Sequence, residues 1–192
     1  MSFSNGMDEP LKRALAVIDG VMQGSTVPMT IADAVAEDMP IILANPAFEA
    51  LTGYGVDETV GRNCRFLQTA ATKPESVAAI RHGITSATEV SVDIHNRRKD
   101  GSEFINNLFI FPLFAANDRK SPRFFIGSQF ELHRENDRNG STDHKRAYRF
   151  FAEEAAEALT RTSRDSQRHL KATAQQLAIS MKLIVQTKLL SL

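Results

Sequence analysis

Three strand-like runs follow one another in the middle of this chain, and they constrain its fold more than any other feature. Residues 89–97, 103–115 and 123–133 are dense in Val, Ile, Leu and Phe, the residues that suit a pleated, half-buried surface. Asp100-Gly101 lies between the first two runs and is the dipeptide of a tight hairpin turn. Residues 116–122, with Asn-Asp and Ser-Pro, read as a longer loop before the third run. The reading is three long antiparallel strands.

Upstream the elements are short. Met29–Ala32 and Pro40–Ala44 are strand candidates, the second closed by Asn45-Pro46. Ala47–Thr52 reads as a short helix stopped by Gly53 and Gly55, and Asp57-Glu58-Thr59 begins another turn of helix. Thr72-Lys73-Pro74-Glu75 starts a longer helix, with Val77, Ile80 and Ile84 as its apolar face and Arg81 off that face. Two short strands and small helices followed by three long antiparallel strands make an α+β class with segregated elements.

Both ends read as helical. Glu9-Pro10 supplies acid and proline to a first turn, and Leu11, Leu15, Ile18 and Met22 form one stripe that Gly24-Ser25 and Pro28 end. After a charged stretch at 134–140, Tyr148, Phe151, Ala155 and Leu159 recur at helical spacing, and so do Leu170, Ala174, Leu177, Met181 and Ile184. This extension reads as two helices or one long one. The expected organisation is an N-terminal helical cap over 1–27, a core over 28–133 and a helical extension over 134–192.

Composition narrows the function classes. The 192 residues carry 23 Lys and Arg against 23 Asp and Glu, so no global field draws the chain to nucleic acid or to a membrane. The segment from Ser141 onward is basic, with nine Lys and Arg against five Asp and Glu, which reads as a solvated helix face. A single cysteine excludes an internal disulfide. The first ten residues lack the basic-then-apolar pattern of a signal peptide, and no apolar run is long enough for a membrane helix; the expectation is a cytoplasmic protein. The five histidines, at 82, 95, 133, 144 and 169, lack the spacing of a metal site, and no glycine-rich phosphate loop is present.

The lone cysteine stands in Gly61-Arg62-Asn63-Cys64-Arg65-Phe66-Leu67-Gln68. An isolated cysteine is more often a small buried hydrophobe. Here it is flanked by a guanidinium and two amides, groups that suit a polar heterocycle rather than a metal.

These eight residues resemble, position for position, the flavin-binding core of light-oxygen-voltage (LOV) photoreceptor domains, and residues 28–133 resemble that family's PAS-type fold, a five-stranded antiparallel sheet with small helices on one face. The resemblance implies a blue-light sensor. Cys64 would be the photoactive thiol that forms a reversible cysteinyl–flavin C4a adduct. The dark-state thiol is expected to be protonated, so Arg65 reads as a phosphate partner together with Arg81. Asn63, Gln68, Asn96, Asn106 and Gln129 would meet the ring or its side chain. Gln129 would sense protonation of flavin N5 by rotating its amide and would pass the change through the last strand to the flanking helices. Two positions depart from the family pattern: Arg97 where an aromatic residue is common, and Ile105 where tryptophan is common. The short Gln68–Pro74 segment favours FMN over FAD, and the two arginines favour it over riboflavin. The apolar stripes of the end helices imply a homodimer and a further protein partner of unknown identity. The chain is read as a sensor, not an enzyme. The alternative is a flavin-dependent redox enzyme or redox sensor using Cys64, which would turn over NAD(P)H instead of bleaching reversibly in blue light.

Overall fold

Helix α1 (Glu9–Gln23) forms where the stripe predicts it, with Glu9 in its first turn and Lys12 paired to Glu9 at 2.9 Å on the solvent side. The computed structural model describes Met7, residues 9–115 and 118–132, and Arg149, Ala152, Glu153, Ala155 and Ala156. After α1 come β1 (Met29–Asp33), β2 (Ile41–Ala44), α2 (Pro46–Thr52), α3 (Val56–Thr59), a 3-10 turn (Cys64–Leu67), α4 (Pro74–Thr85), β3 (Val90–Arg97), β4 (Glu103–Ala115) and β5 (Asp118–Leu132). The strands form one antiparallel sheet in the order β2-β1-β5-β4-β3.

Local chemistry explains most boundaries. Asn45 caps α2, with Pro46 in the first turn and Gly53 ending it in the left-handed region at φ 73°. Gly101 turns the β3–β4 hairpin at φ 91°. The fully buried Asn45 also ties three elements together. Its Oδ1 accepts from Met29 N at 2.9 Å and Phe48 N at 3.0 Å, and its Nδ2 donates to Val27 O at 2.7 Å and Met22 O at 3.1 Å.

Two expectations are corrected. The loop expected at 116–122 is largely strand: β5 begins at Asp118, and the ladder continues through Phe114↔Pro122 and Ala115↔Asp118 with register shifts. Such bulges absorb the extra residues and the proline, which cannot donate to a regular ladder. In α4 the buried residues are Ser76 and Gly83, while Val77, Ile80 and Ile84 stay half-buried. The helix comes too close to β3 for larger side chains. Ser76 Oγ donates to Asp93 O at 2.8 Å, and a Cβ on Gly83 would lie 2.1 Å from Val90 Cγ2.

The main core lies on one face of the sheet. Met29, Ile31, Phe109, Leu113, Phe124 and Ile126 pack with Ile18 and Met22 of α1 and with the helical residues Ala152 and Ala155. Each large side chain so buried contributes roughly 1.5–3 kcal/mol. Arg149 holds the same helical residues to the start of β3 through Glu89 at 3.0 Å. Of the tail stripes, Ala155 is described; Tyr148, Phe151, Leu159 and the stripe from Leu170 lie outside the described residues. A second cluster, Ile41, Ala44, Phe48 and Leu67, belongs to the opposite face.

Candidate functional site

The cysteine motif is fastened to both edges of the sheet. Gly61 N donates to Ile41 O and Ile41 N to Arg62 O, each at 2.8 Å, which ties its start to β2. At its end Gln68 pairs with Asn96 of β3 in an isolated antiparallel bridge. β2 and β3 are the outermost strands. Four inter-strand gaps put them roughly 19 Å apart in a flat sheet, about the span of residues 61–68 with a 3-10 turn among them. The motif therefore crosses a face of the sheet.

Register identifies that face. Ala44 pairs with Thr30, Thr30 with Gly127, Leu108 with Gln129, and Ile94 with Asn106. With the two-residue period of a strand, Thr30, Gly127, Gln129, Leu108, Asn106 and Asn96 share one side. Cys64, Phe66 and Tyr54 pack against the cluster that holds Ile41 and Ala44 of that side. Arg62 stacks over the Phe66 ring at 4.0 Å, and Tyr54 meets Phe66 edge-on at 4.9 Å, which steadies the segment around the cysteine.

Three amides form the floor. Asn96, Asn106 and Gln129 are 3%, 1% and 1% exposed, in strands where such residues are disfavoured. Asn106 Nδ2 donates to Asn96 Oδ1 at 2.9 Å, and Asn96 Nδ2 donates to the His95 carbonyl at 3.1 Å. Asn106 Oδ1 and both polar atoms of the Gln129 side chain are buried without a hydrogen-bond partner among the described residues. Each such atom costs about 1–3 kcal/mol unless something satisfies it. A Cβ on Gly127 would lie 3.0 Å from Thr30 Oγ1 and 3.4 Å from Gln129 Nε2, so the missing side chain keeps the backbone open beside the glutamine.

Cys64 is half-buried as the first residue of the 3-10 turn. Burial pushes its thiol from the ordinary 9.0 up to about 11. At neutral pH it is a thiol. Arg65 does not oppose this, because its guanidinium is turned to the Asp38 carboxylate. Asn63 caps the turn, its Oδ1 accepting from Arg65 N at 3.0 Å and its Nδ2 donating to the carbonyl of Asp38. Its amide is thus engaged within the chain. Gln68 is half-buried beside Asn96. Arg81 is exposed on α4, and no described residue gives it an anionic partner. Arg97 and Ile105, the two departures from the family pattern, pair with Glu103 and His95 and project from the other face of the sheet.

Three positions beside these groups were not singled out from sequence: Thr30, Gly127 and Asp38. Thr30 and Gly127 are ordinary strand residues until pairing is known. Asp38 lies in a loop with no turn motif in its sequence to single it out.

The orphaned atoms supply a test for a flavin. They comprise two amide oxygens and one amide nitrogen on one face, so a ligand there must both donate and accept. The ring edge of a flavin does both, and the residues present fit it.

A sheet that carries a ligand face opposite its helix-covered face, with small helices framing the ligand side, defines the PAS class, and the PAS domain family model matches residues 26–133. Within that class the chain belongs to the LOV family of blue-light photoreceptor domains. It is 41% identical to the LOV domain of the Erythrobacter litoralis EL346 blue-light activated histidine kinase, covering 56% of this chain and 97% of that one at a TM-score of 0.53. The Rhodobacter sphaeroides LOV protein is 29% identical over 94% of this chain and 97% of its own, with a TM-score of 0.68. The light-state dimer of the fungal blue-light photoreceptor Vivid is 31% identical over 56% of this chain and 78% of its own, with a TM-score of 0.53. A blue-light-activated histidine kinase of Rhizobium johnstonii is 43% identical over 121 residues. That alignment takes in 63% of this chain and 34% of the kinase, so the chain spans about a third of that relative's length.

Proposed function

We propose that this chain is a blue-light sensor that holds a flavin, FMN in preference to FAD or riboflavin, and answers light through Cys64. The observation that carries the reading is Gln129, whose amide is buried at both ends with no hydrogen-bond partner among the described residues, on the face that the cysteine motif crosses. When bound, the flavin supplies light absorption and the electrophilic ring carbon to which the resemblance assigns the Cys64 sulfur. Cys64 holds its proton in the dark, because its thiol titrates near 11. Asn96 and Asn106, already bonded to each other, present a fixed donor–acceptor edge. Gln129 can offer either Nε2 or Oε1 by rotating, and its own strand carries the change three residues further to Leu132, where β5 ends. Arg65 and Arg81 would hold the cofactor phosphate, for which a guanidinium fork is suited.

The sensor signals without catalytic turnover, in the cytoplasm, through its terminal helices and a homodimer. The exposed Ile105, beside half-buried Leu132 on the sheet's helix-covered face, supports an apolar contact there. The test is direct: purified protein should be yellow, should bleach under blue light and should recover in darkness. A colourless protein that takes up no flavin, or a flavin turned over by NAD(P)H without reversible bleaching, overturns the reading.

A further inference from the structure

Asp38 is tied to two of the residues assigned to the cofactor. Its carboxylate pairs with Arg65 Nη1, and its carbonyl accepts from Asn63 Nδ2. The carbonyl of the next residue, Met39, lies 3.5 Å from the same Nδ2. Asp38 and Met39 both adopt left-handed backbone, at φ 64° and 47°, and neither is glycine. Such conformations persist where surrounding contacts impose them. The β1–β2 loop is thus shaped to bring one carboxylate onto Arg65.

We propose that Asp38 is a specificity-determining residue for the phosphate end of the flavin: it competes with the phosphate for Arg65 and so limits the preference of this chain for FMN over riboflavin. The proposal rests on the flavin reading above. A phosphate must either displace the carboxylate from Arg65 or share the guanidinium with it, and in both cases two like-charged groups meet at one cation. Asp38 has a second, opposite effect, since it holds Arg65 in one orientation before any ligand arrives. Competition outweighs that effect. It acts on a group bearing up to two negative charges, while pre-ordering spares only the torsions of one side chain that is 53% exposed. Riboflavin has no phosphate and is indifferent to both.

The experiment is an exchange competition. The full-length chain is equilibrated with FMN and riboflavin together, and the bound ratio is read by chromatography. Asp38→Asn is the main variant. Asparagine is isosteric, tolerates φ 64° and retains the carbonyl that Asn63 uses. It should raise the bound FMN-to-riboflavin ratio by about 3- to 10-fold at low ionic strength, with a smaller rise at high salt because an exposed charge is screened. In an Arg65→Ala background Asp38→Asn should leave the ratio unchanged. Asp38→Gly also accepts the left-handed backbone and should act in the same direction if the asparagine variant does not fold. An unchanged or lowered ratio in the folded variant, or an equal rise in the Arg65→Ala background, overturns the role of Asp38. Failure of the native chain to take up either flavin overturns the flavin reading itself, and the two failures are thereby distinguished.

Discussion

At the scale of single residues, Cys64 is a half-buried thiol to which the proposed function assigns the photochemistry. Its thiol is held neutral by desolvation, and the adjacent Arg65 is paired to Asp38. Cys64→Ser should keep flavin and lose reversible bleaching, because a hydroxyl is a far poorer nucleophile; absorbance before and after a blue flash checks this, and a serine protein that still bleaches and recovers sinks the assignment. The raised pKa carries a second expectation. The folded thiol keeps its proton to about 11, whereas an unfolded one loses it near 9.0. In that window the unfolded state binds fewer protons, so stability is fully present below pH 9 and declines as pH rises towards 11. The difference in unfolding free energy between the native chain and Cys64→Ser should therefore shift against the native chain across that window, by at most about 3 kcal/mol. Denaturant titrations of both proteins from pH 8 to 11 measure it, and parallel curves would show the thiol is not desolvated.

At the scale of elements, β5 joins the ligand face to the rest of the chain. Gln129 lies on it, and two residues later Glu131 forms an ion pair with Arg98, both side chains nearly four-fifths buried. Arg98 Nε also donates to Leu51 O at 2.8 Å, and its guanidinium lies 4.4 Å from the centre of the Phe104 ring. One side chain thus clamps the end of β5, the β3–β4 hairpin and α2. Arg98→Ala should cost about 1–2 kcal/mol, between the values of exposed pairs and of buried charged hydrogen bonds; chemical denaturation measures it, and a loss under ~0.3 kcal/mol would show the clamp to be idle. Gln129→Leu has the volume without the hydrogen bonds. It should still react with light but transmit poorly, so the light-dependent change in hydrogen exchange over α1 and the end of β5 should shrink. An undiminished change would move the switch away from Gln129.

At the scale of the whole molecule, the helix-covered face of the sheet is where the proposed dimer would form. The stripe of α1 and the two tail stripes together were expected to exceed what one sheet can cover, and most of the tail stripes lies outside the described residues. Of the α1 stripe, Ile18 and Met22 are buried against the chain's own sheet, with Ala152 and Ala155 alongside. Among the described strand residues of that face Ile105 is exposed, next to Leu132 at the end of β5. A two-fold dimer that covers this end would place both β5 exits at the interface, where a bias of about 1–3 kcal/mol moves an equilibrium roughly 5- to 150-fold. The expected outcome is a homodimer in the dark that blue light shifts towards monomer. Light scattering across a dilution series checks it. A concentration-independent monomer in both states removes the dimer, and identical mass and shape in both removes the light response.

The sequence by itself determined what depends on neighbours along the chain. The stop of α2 at Gly53, the Asp100-Gly101 hairpin and the limits of β4 are local, since turn chemistry and side-chain period act over a few residues. The amides at 96, 106 and 129 were named by resemblance, and their burial on one face follows from strand pairing. Only the tertiary structure decided that β1 lies between β2 and β5, which brings Thr30 and Gly127 beside Gln129. Strand periodicity tells which side chains share a face but not which strand is the neighbour. It likewise decided that α4 buries Ser76 and Gly83 rather than its apolar residues, because the closeness of Val90 is set by another element. Asp38 and Arg65 meet for the same reason: two loops distant in sequence are held together by the sheet beneath them.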